Sequence, residues 1–282
     1  MKTFYIFNGR KVKEDEITVK HLKRGFLYGD GVFETLRATN YKIFMWEKHI
    51  KRLKEGVEVC GQEIPDNMDR VKGEIEKLLI KNRIKDAYIR INLWRKDPES
   101  FDPSGENISH LLVIVRNYHP YPEMTYREGI RCIISKKCIR NENSPVVYIK
   151  SLNYLENILA RMEARKNKCD DAILLNTSGY LTSATVSNLF FVKKGRLYTP
   201  SLNCGVLKGT IRGLIFDTSK RNDIEIQEGR YTLDDLKDAD EIFLTNTLMG
   251  VMPIKEIKGV FKSKNFTLSR FLKEEVDREI TD

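Results

Sequence analysis

One lysine, Lys150, closes a short apolar run from Pro145 to Ile149 and is followed at once by an amphipathic stretch from Tyr154 to Lys168. The run reads as a short strand. In the following stretch Leu155, Ile158, Leu159 and Met162 have the i, i+3, i+4, i+7 spacing that predicts a helix with one buried face. A lysine at such a strand-to-helix corner is held by two rigid elements and partly withdrawn from water. Desolvation disfavours the ammonium, and the neutral amine is the nucleophile that a Schiff base needs. Lysine is abundant in this chain, and most lysines are solvated surface residues, so Lys150 gains meaning only from its context.

The 282 residues give room for a large core and two domains, and 41% hydrophobic with 32% charged residues suits a soluble globular protein. Runs such as Leu111–Val115 are too short to span a bilayer, and the segment Met1–Asn8 enters a strand pattern without a signal-peptide core. The expectation is a cytoplasmic protein with no membrane partner. Cys60, Cys132, Cys138, Cys169 and Cys204 are scattered without a CxxC pair, and the four histidines lack ligand spacing, so no metal site or disulfide framework is expected. The net charge is +9, but basic residues sit beside acids, as in Arg161–Lys166. There is no zinc finger and no RNP pattern. Nucleic acid therefore ranks below an acidic small molecule as a partner.

Along the chain, Asn8-Gly9 predicts a tight hairpin. The stretch from Arg24 to Gly31 has three glycines in seven residues from Gly25 and reads as a loop that turns tightly or approaches something closely, before a strand over Val32–Ala38. Helices are predicted over Trp46–Cys60, with His49 and Arg52 beside its apolar stripe, and over Asp66–Lys81. Ala87–Trp94 and Ser109–Val115 read as strands, with a polar loop over Lys96–Asn107 containing Pro98, Pro103 and Gly105. The prolines and tyrosines of Asn117–Pro122 mark a connector. Beyond it come strands over Gly129–Ser135, Ala172–Asn176 and Glu241–Thr245, a hairpin about Lys194-Gly195, and a short helix capped by Thr232. A helix starting near Gly209-Thr210 offers N-terminal amides to a phosphate.

Six stretches in this order resemble the class IV, or fold-type IV, pyridoxal-phosphate enzymes. They are Tyr28–Glu34, His49–Leu53, Ile149–Asn153, Ser187–Phe190, Gly209–Arg212 and Asn246 through Pro253. That family holds branched-chain and D-amino-acid aminotransferases and aminodeoxychorismate lyase. The resemblance implies an α+β fold of two domains, a small N-terminal one over residues 1–118 and a larger pseudo-barrel over 123–282, with 119–122 as linker. It implies pyridoxal 5'-phosphate, a homodimer, and transfer of an amino group between an amino acid and a 2-oxo acid. Lys150 would join the cofactor and shuttle the proton at the substrate Cα. Arg52, Thr210, Ile211, Asn246 and Thr247 would bind the cofactor, its phosphate above all. A dianion wants such a guanidinium fork, helix amides and hydroxyls. Arg95, at the end of its strand, is a weaker candidate for a substrate carboxylate, with a surface role as the alternative.

One position departs from the family. Aligning Thr182 and Asn188 puts Ser183 where the family keeps a glutamate against the pyridine nitrogen. A carboxylate holds a proton there and makes the ring a strong electron sink; a hydroxyl offers only a neutral hydrogen bond. Thr35 falls where the lyase keeps a catalytic threonine, and elimination of pyruvate relies less on the ring. The lyase is therefore the alternative activity, and a catalytically impaired basic binding protein on the same scaffold is the third reading.

Overall fold

The computed structural model describes residues 3–96, 101–103, 107–263 and 265–281. The expected loop over Lys96–Asn107 lies partly outside the described residues, Pro98 and Gly105 included. The chain forms two compact units, Met1–His119 with Ile149–Asn153, and Pro120–Tyr148 with Tyr154–Asp282.

The first unit comprises β1 (Thr3–Phe7), β2 (Arg10–Val12), α1 (Val19–Tyr28), β3 (Gly31–Thr39), β4 (Lys42–Ile43), α2 (Trp46–Val59), α3 (Met68–Lys81), β5 (Ala87–Arg95) and β6 (Ser109–Asn117). Its six-stranded sheet runs β2-β1-β6-β5-β3-β4, antiparallel throughout. Val32, Leu36, Ile89, Ile91 and Val113 of one sheet face join Ile50, Leu53, Ile75 and Leu79 of α2 and α3 in one core. The Asn8-Gly9 hairpin forms with both residues at positive φ, which the sharp reversal requires. The glycine-rich stretch is a loop only in part. Arg24–Tyr28 ends α1, because the stretch has no proline and Gly29 at φ 65° supplies the left-handed cap. Gly31 is the close approach expected, since a Cβ there would collide with the Leu93 carbonyl oxygen across the β3–β5 pair.

The second unit comprises α4 (Glu123–Glu128), β7 (Ile130–Arg140), α5 (Leu155–Lys166), β8 (Asp171–Asn176), β9 (Leu181–Ala184), β10 (Asn188–Lys193), β11 (Arg196–Pro200), α6 (Thr210–Arg221), β12 (Ile226–Gly229), α7 (Leu233–Lys237), β13 (Glu241–Asn246), β14 (Gly250–Ile257), β15 (Phe261–Lys262) and α8 (Thr267–Thr281). Strands β10, β13, β14, β7, β8 and β9 pair in that order, and the β9–β10 pair at Ser183↔Asn188 closes them into a barrel. Leu189, Phe191, Leu244, Met252 and Ile254 fill its apolar core.

Two expectations around Lys150 are corrected. Pro145–Tyr148 is a 3-10 turn and not a strand. Its fixed proline φ suits a first helical position, and the Val147 amide closes the turn on the Ser144 carbonyl at 3.3 Å. The helix α5 forms, but its apolar stripe faces out. Leu155 and Ile158 are 67% and 53% exposed, with Leu159 at 48% and Met162 at 49%. The buried side is Asn157, Ala160 and Ala164, packed with Ile133, Cys138 and Leu174. Small alanines let the helix lie close on β7 and β8, whereas the long side chains would hold it off.

Candidate active site

In the first unit, residues 149–153 run antiparallel along β3. The Phe33 amide donates to the Lys150 carbonyl at 2.8 Å, and the Leu152 amide to the Gly31 carbonyl at 2.9 Å. The bridge Val32↔Ser151 sets the register, so Lys150 lies opposite Phe33. The Lys150 ammonium stands 4.6 Å from the centroid of the Phe33 ring. Strand alternation puts Phe33 and Thr35 on one face of β3, and register puts Arg90 of β5 opposite Thr35. The Arg90 guanidinium lies 3.8 Å from the same Phe33 ring, and its Nε donates to Asn92 Oδ1 at 2.8 Å. Lys150, Thr35 and Arg90 thus share one face.

The other face of β3 carries Glu34, completely buried among apolar neighbours. Arg52 of α2 meets it side-on, Nε to Oε1 at 2.6 Å and Nη2 to Oε2 at 2.7 Å. His49, one helical turn earlier, lies with Nδ1 2.8 Å from Oε2. Burial by itself would raise the Glu34 carboxyl, but the Arg52 charge and the hydrogen bonds from His49 and Arg52 outweigh it and hold it far below the usual carboxylate range. Burial pushes His49 down against the pull of Glu34, so the ring is neutral at pH 7. A carboxylate only accepts, so Nδ1 carries the proton.

Arg95 has every guanidinium nitrogen engaged inside this unit. Nε donates to Asp30 at 3.0 Å, Nη1 to Gly61 O and Asn107 Oδ1, and Nη2 to Cys60 O at 2.6 Å. It is buried and ties β5 to the end of α2. Sequence reasoning named Arg95 and missed Arg90, although the alternation of Ala87–Trp94 puts Arg90 among the polar positions of the strand. It also gave Glu34 no role. The signal available was an acid between Val32 and Leu36 in a strand, with His49 and Arg52 at i, i+3 on a helix.

In the second unit, Gly209 is the N-cap of α6. A Cβ at Gly209 would collide with Asn188 Oδ1, so a larger residue there would have to displace the Asn188 side chain. Asn188 fixes that start by donating from Nδ2 to the Leu207 carbonyl at 2.8 Å. Behind the cap, the buried Thr210 and Thr247 hydroxyls lie 3.2 Å apart, and Ile211 is buried beside them in sequence. Asn246 accepts from the amides of Leu248 and Met249 and donates to the Val186 carbonyl at 3.3 Å. Ser183 is paired with Asn188 across β9–β10. Ser183, Thr210, Ile211, Asn246 and Thr247 are therefore linked within the second unit, as Lys150, Thr35 and Arg52 are within the first. Within the second unit, the α6 amides and the Thr210 and Thr247 hydroxyls are donors of the kind a phosphate ester takes.

Residues 31–257 match the family Amino-transferase class IV. The chain belongs to this family. A putative branched-chain-amino-acid aminotransferase of Methanocaldococcus jannaschii is 35% identical over 89% of this chain and 87% of its own length. The aminodeoxychorismate lyase of Bacillus subtilis is 31% identical over 90% of this chain and 86% of its own. The solved branched-chain aminotransferase of the thermophilic archaeon Thermoproteus uzoniensis with norvaline superposes with a TM-score of 0.90, at 27% identity, over 98% of this chain and 94% of the other. A further branched-chain amino acid aminotransferase of the same fold was solved with pyridoxamine 5'-phosphate; it superposes with a TM-score of 0.92, at 28% identity, over 99% of this chain and 94% of the other. The α+β fold with a barrel in its second part is thus that of the family's aminotransferases. Among the described residues of this class IV chain, no helix is long and apolar enough to cross a membrane, and no cluster of acids, histidines and cysteines has the makings of a metal site.

Proposed function

We propose that this class IV protein is a pyridoxal-phosphate-dependent aminotransferase acting between an amino acid and a 2-oxo acid. The observation that carries the reading is Lys150, pinned by its own carbonyl to β3 and seated against Phe33 beside Thr35 and Arg90. When bound, the cofactor supplies an electron sink for negative charge at the substrate Cα. Lys150 is the group that takes and returns the Cα proton. In the first unit Arg52 is the donor suited to the cofactor phosphate, and in the second the α6 amides and the hydroxyls of Thr210 and Thr247 are donors of the same kind. Arg90 receives the substrate carboxylate; no carboxylate pairs with it among the described residues, whereas Arg95 is consumed by structure. The test is reduction of the loaded protein with borohydride and peptide mass spectrometry. The cofactor mass is expected on the peptide holding Lys150 and absent from Lys150→Ala. A loaded protein with no modified lysine, and no visible absorption band, rejects the reading.

Elimination of pyruvate, as in the aminodeoxychorismate lyases, is the second reading. Ser183 in place of the family glutamate favours it, as does Thr35 on the face of β3 that Lys150 shares. A leaving group that accepts the electrons asks less of the ring. Assaying aminodeoxychorismate beside amino-acid and 2-oxo-acid pairs separates the two. We further propose that a second copy of the chain covers the exposed stripe of α5, consistent with the expected homodimer.

A further inference from the structure

Glu34 touches no reacting group in the chemistry proposed above, yet it is completely buried and bound by two donors of α2. A buried ion pair is a poor device for stability, because desolvating both charges offsets most of their attraction. An apolar residue between Val32 and Leu36 would serve the core as well. The pair has a specific geometry instead. Nε and Nη2 of Arg52 meet the two carboxylate oxygens in parallel, which fixes the guanidinium plane as well as its position. His49 donates Nδ1–H to Oε2, and the Thr35 amide lies 3.3 Å from the same oxygen, so the carboxylate cannot swing. A long arginine side chain on a helix otherwise samples many rotamers.

We infer that Glu34 and His49 are positioning residues that aim the Arg52 guanidinium at the phosphate of a pyridoxal cofactor without touching the cofactor themselves. The inference rests on the reading of Arg52 as a phosphate ligand. Glu34 withdraws some of the Arg52 charge from the phosphate and returns a fixed direction.

The experiment is titration of the whole, cofactor-stripped protein with pyridoxal 5'-phosphate and, separately, with pyridoxal, which lacks the phosphate. Glu34→Gln is expected to raise the Kd for pyridoxal phosphate about tenfold, the loss of one charge-assisted contact, and to leave pyridoxal unchanged. In an Arg52→Lys background the same Glu34 substitution is expected to add nothing further, because its effect passes through Arg52. If Glu34→Gln does not fold, Glu34→Asp carries the test: it keeps the charge, withdraws it by one methylene and is expected to show the same phosphate-selective loss. An equal loss for pyridoxal, or an effect that persists in full with Lys at 52, overturns the positioning role. An unchanged Kd for Arg52→Lys alone instead overturns the assignment of Arg52, and so the two failures are distinguishable.

Discussion

Lys150 and Phe33 face one another across a single antiparallel bridge, with the ammonium 4.6 Å from the ring centroid. The negative ring face attracts a cation, a contact worth about 0.5–2 kcal/mol. Phe33→Leu keeps an apolar side chain there and removes the quadrupole. Turnover is expected to fall about fivefold, the equivalent of about 1 kcal/mol, with the melting temperature nearly unchanged. Steady-state kinetics beside thermal melts check this. A variant as active as the parent would show that the ring does not place the amine.

The two arginines of β5 are expected to fail in different ways. Arg90→Gln should raise the KM for the acidic substrate about tenfold or more with little change in stability, because its guanidinium is the group proposed to receive the substrate carboxylate. Arg95→Gln should leave KM alone and destabilise by about 2 kcal/mol, because it removes four hydrogen bonds that tie β5 to the end of α2, while Arg24 keeps its hold on Asp30. Kinetics and urea unfolding on the two variants separate the roles; exchanged phenotypes refute them.

Glu34 makes folding stability depend on acid pH. Its carboxyl is held far below the ordinary 4.5 of an exposed glutamate. Below pH 4.5 the unfolded chain binds a proton that the folded chain refuses, so stability rises with pH in that range. The contribution is present in full above pH 4.5 and is lost progressively as pH falls toward the depressed folded value. Urea midpoints of wild type should drop on acidification from about pH 6 to about pH 3 more steeply than those of Glu34→Gln. Parallel slopes for the two proteins would remove this linkage.

Ser183→Glu restores an acid at the place paired with Asn188. If Ser183 faces the ring nitrogen, the carboxylate strengthens the electron sink, and transamination should rise relative to elimination on a substrate with a good β leaving group. The ratio of the two products gives the answer. A wild type that already transaminates briskly, and is only slowed by the substitution, refutes the account.

Leu159 lies in the outward stripe of α5, 48% exposed. Leu159→Glu puts a charge in the face proposed for a second copy and should convert the proposed dimer to monomers in light scattering, with the helical circular dichroism intact. An unchanged molar mass moves the interface elsewhere.

Local patterns proved reliable where one element carries the whole signal. Asn8-Gly9 and Lys194-Gly195 need positive φ, and both form hairpins. Gly209 followed by Thr210 starts a helix, and the stripe of Met68, Val71, Ile75 and Leu78 is buried as its period demands. Pro145–Ile149 misled because a short apolar run has no period with which to tell a strand from a turn.

The amino-acid sequence by itself determined the family, the identity of Lys150 and Arg52 as candidates, the departure at Ser183, and strands and helices such as β3, β5, α2 and α3, because these depend on neighbours a few residues away; α1, β14 and α8 were not read from it. Tertiary structure alone decided that Glu34 grips Arg52 and His49, that Arg90 rather than Arg95 shares a face with Lys150, and that α5 turns Ala160 and Ala164 inward and its leucines out. Those outcomes follow from strand register and from which helix face packs closest. Both are set by contacts between segments distant in the chain, and periodicity reports that a stripe is apolar without saying what covers it.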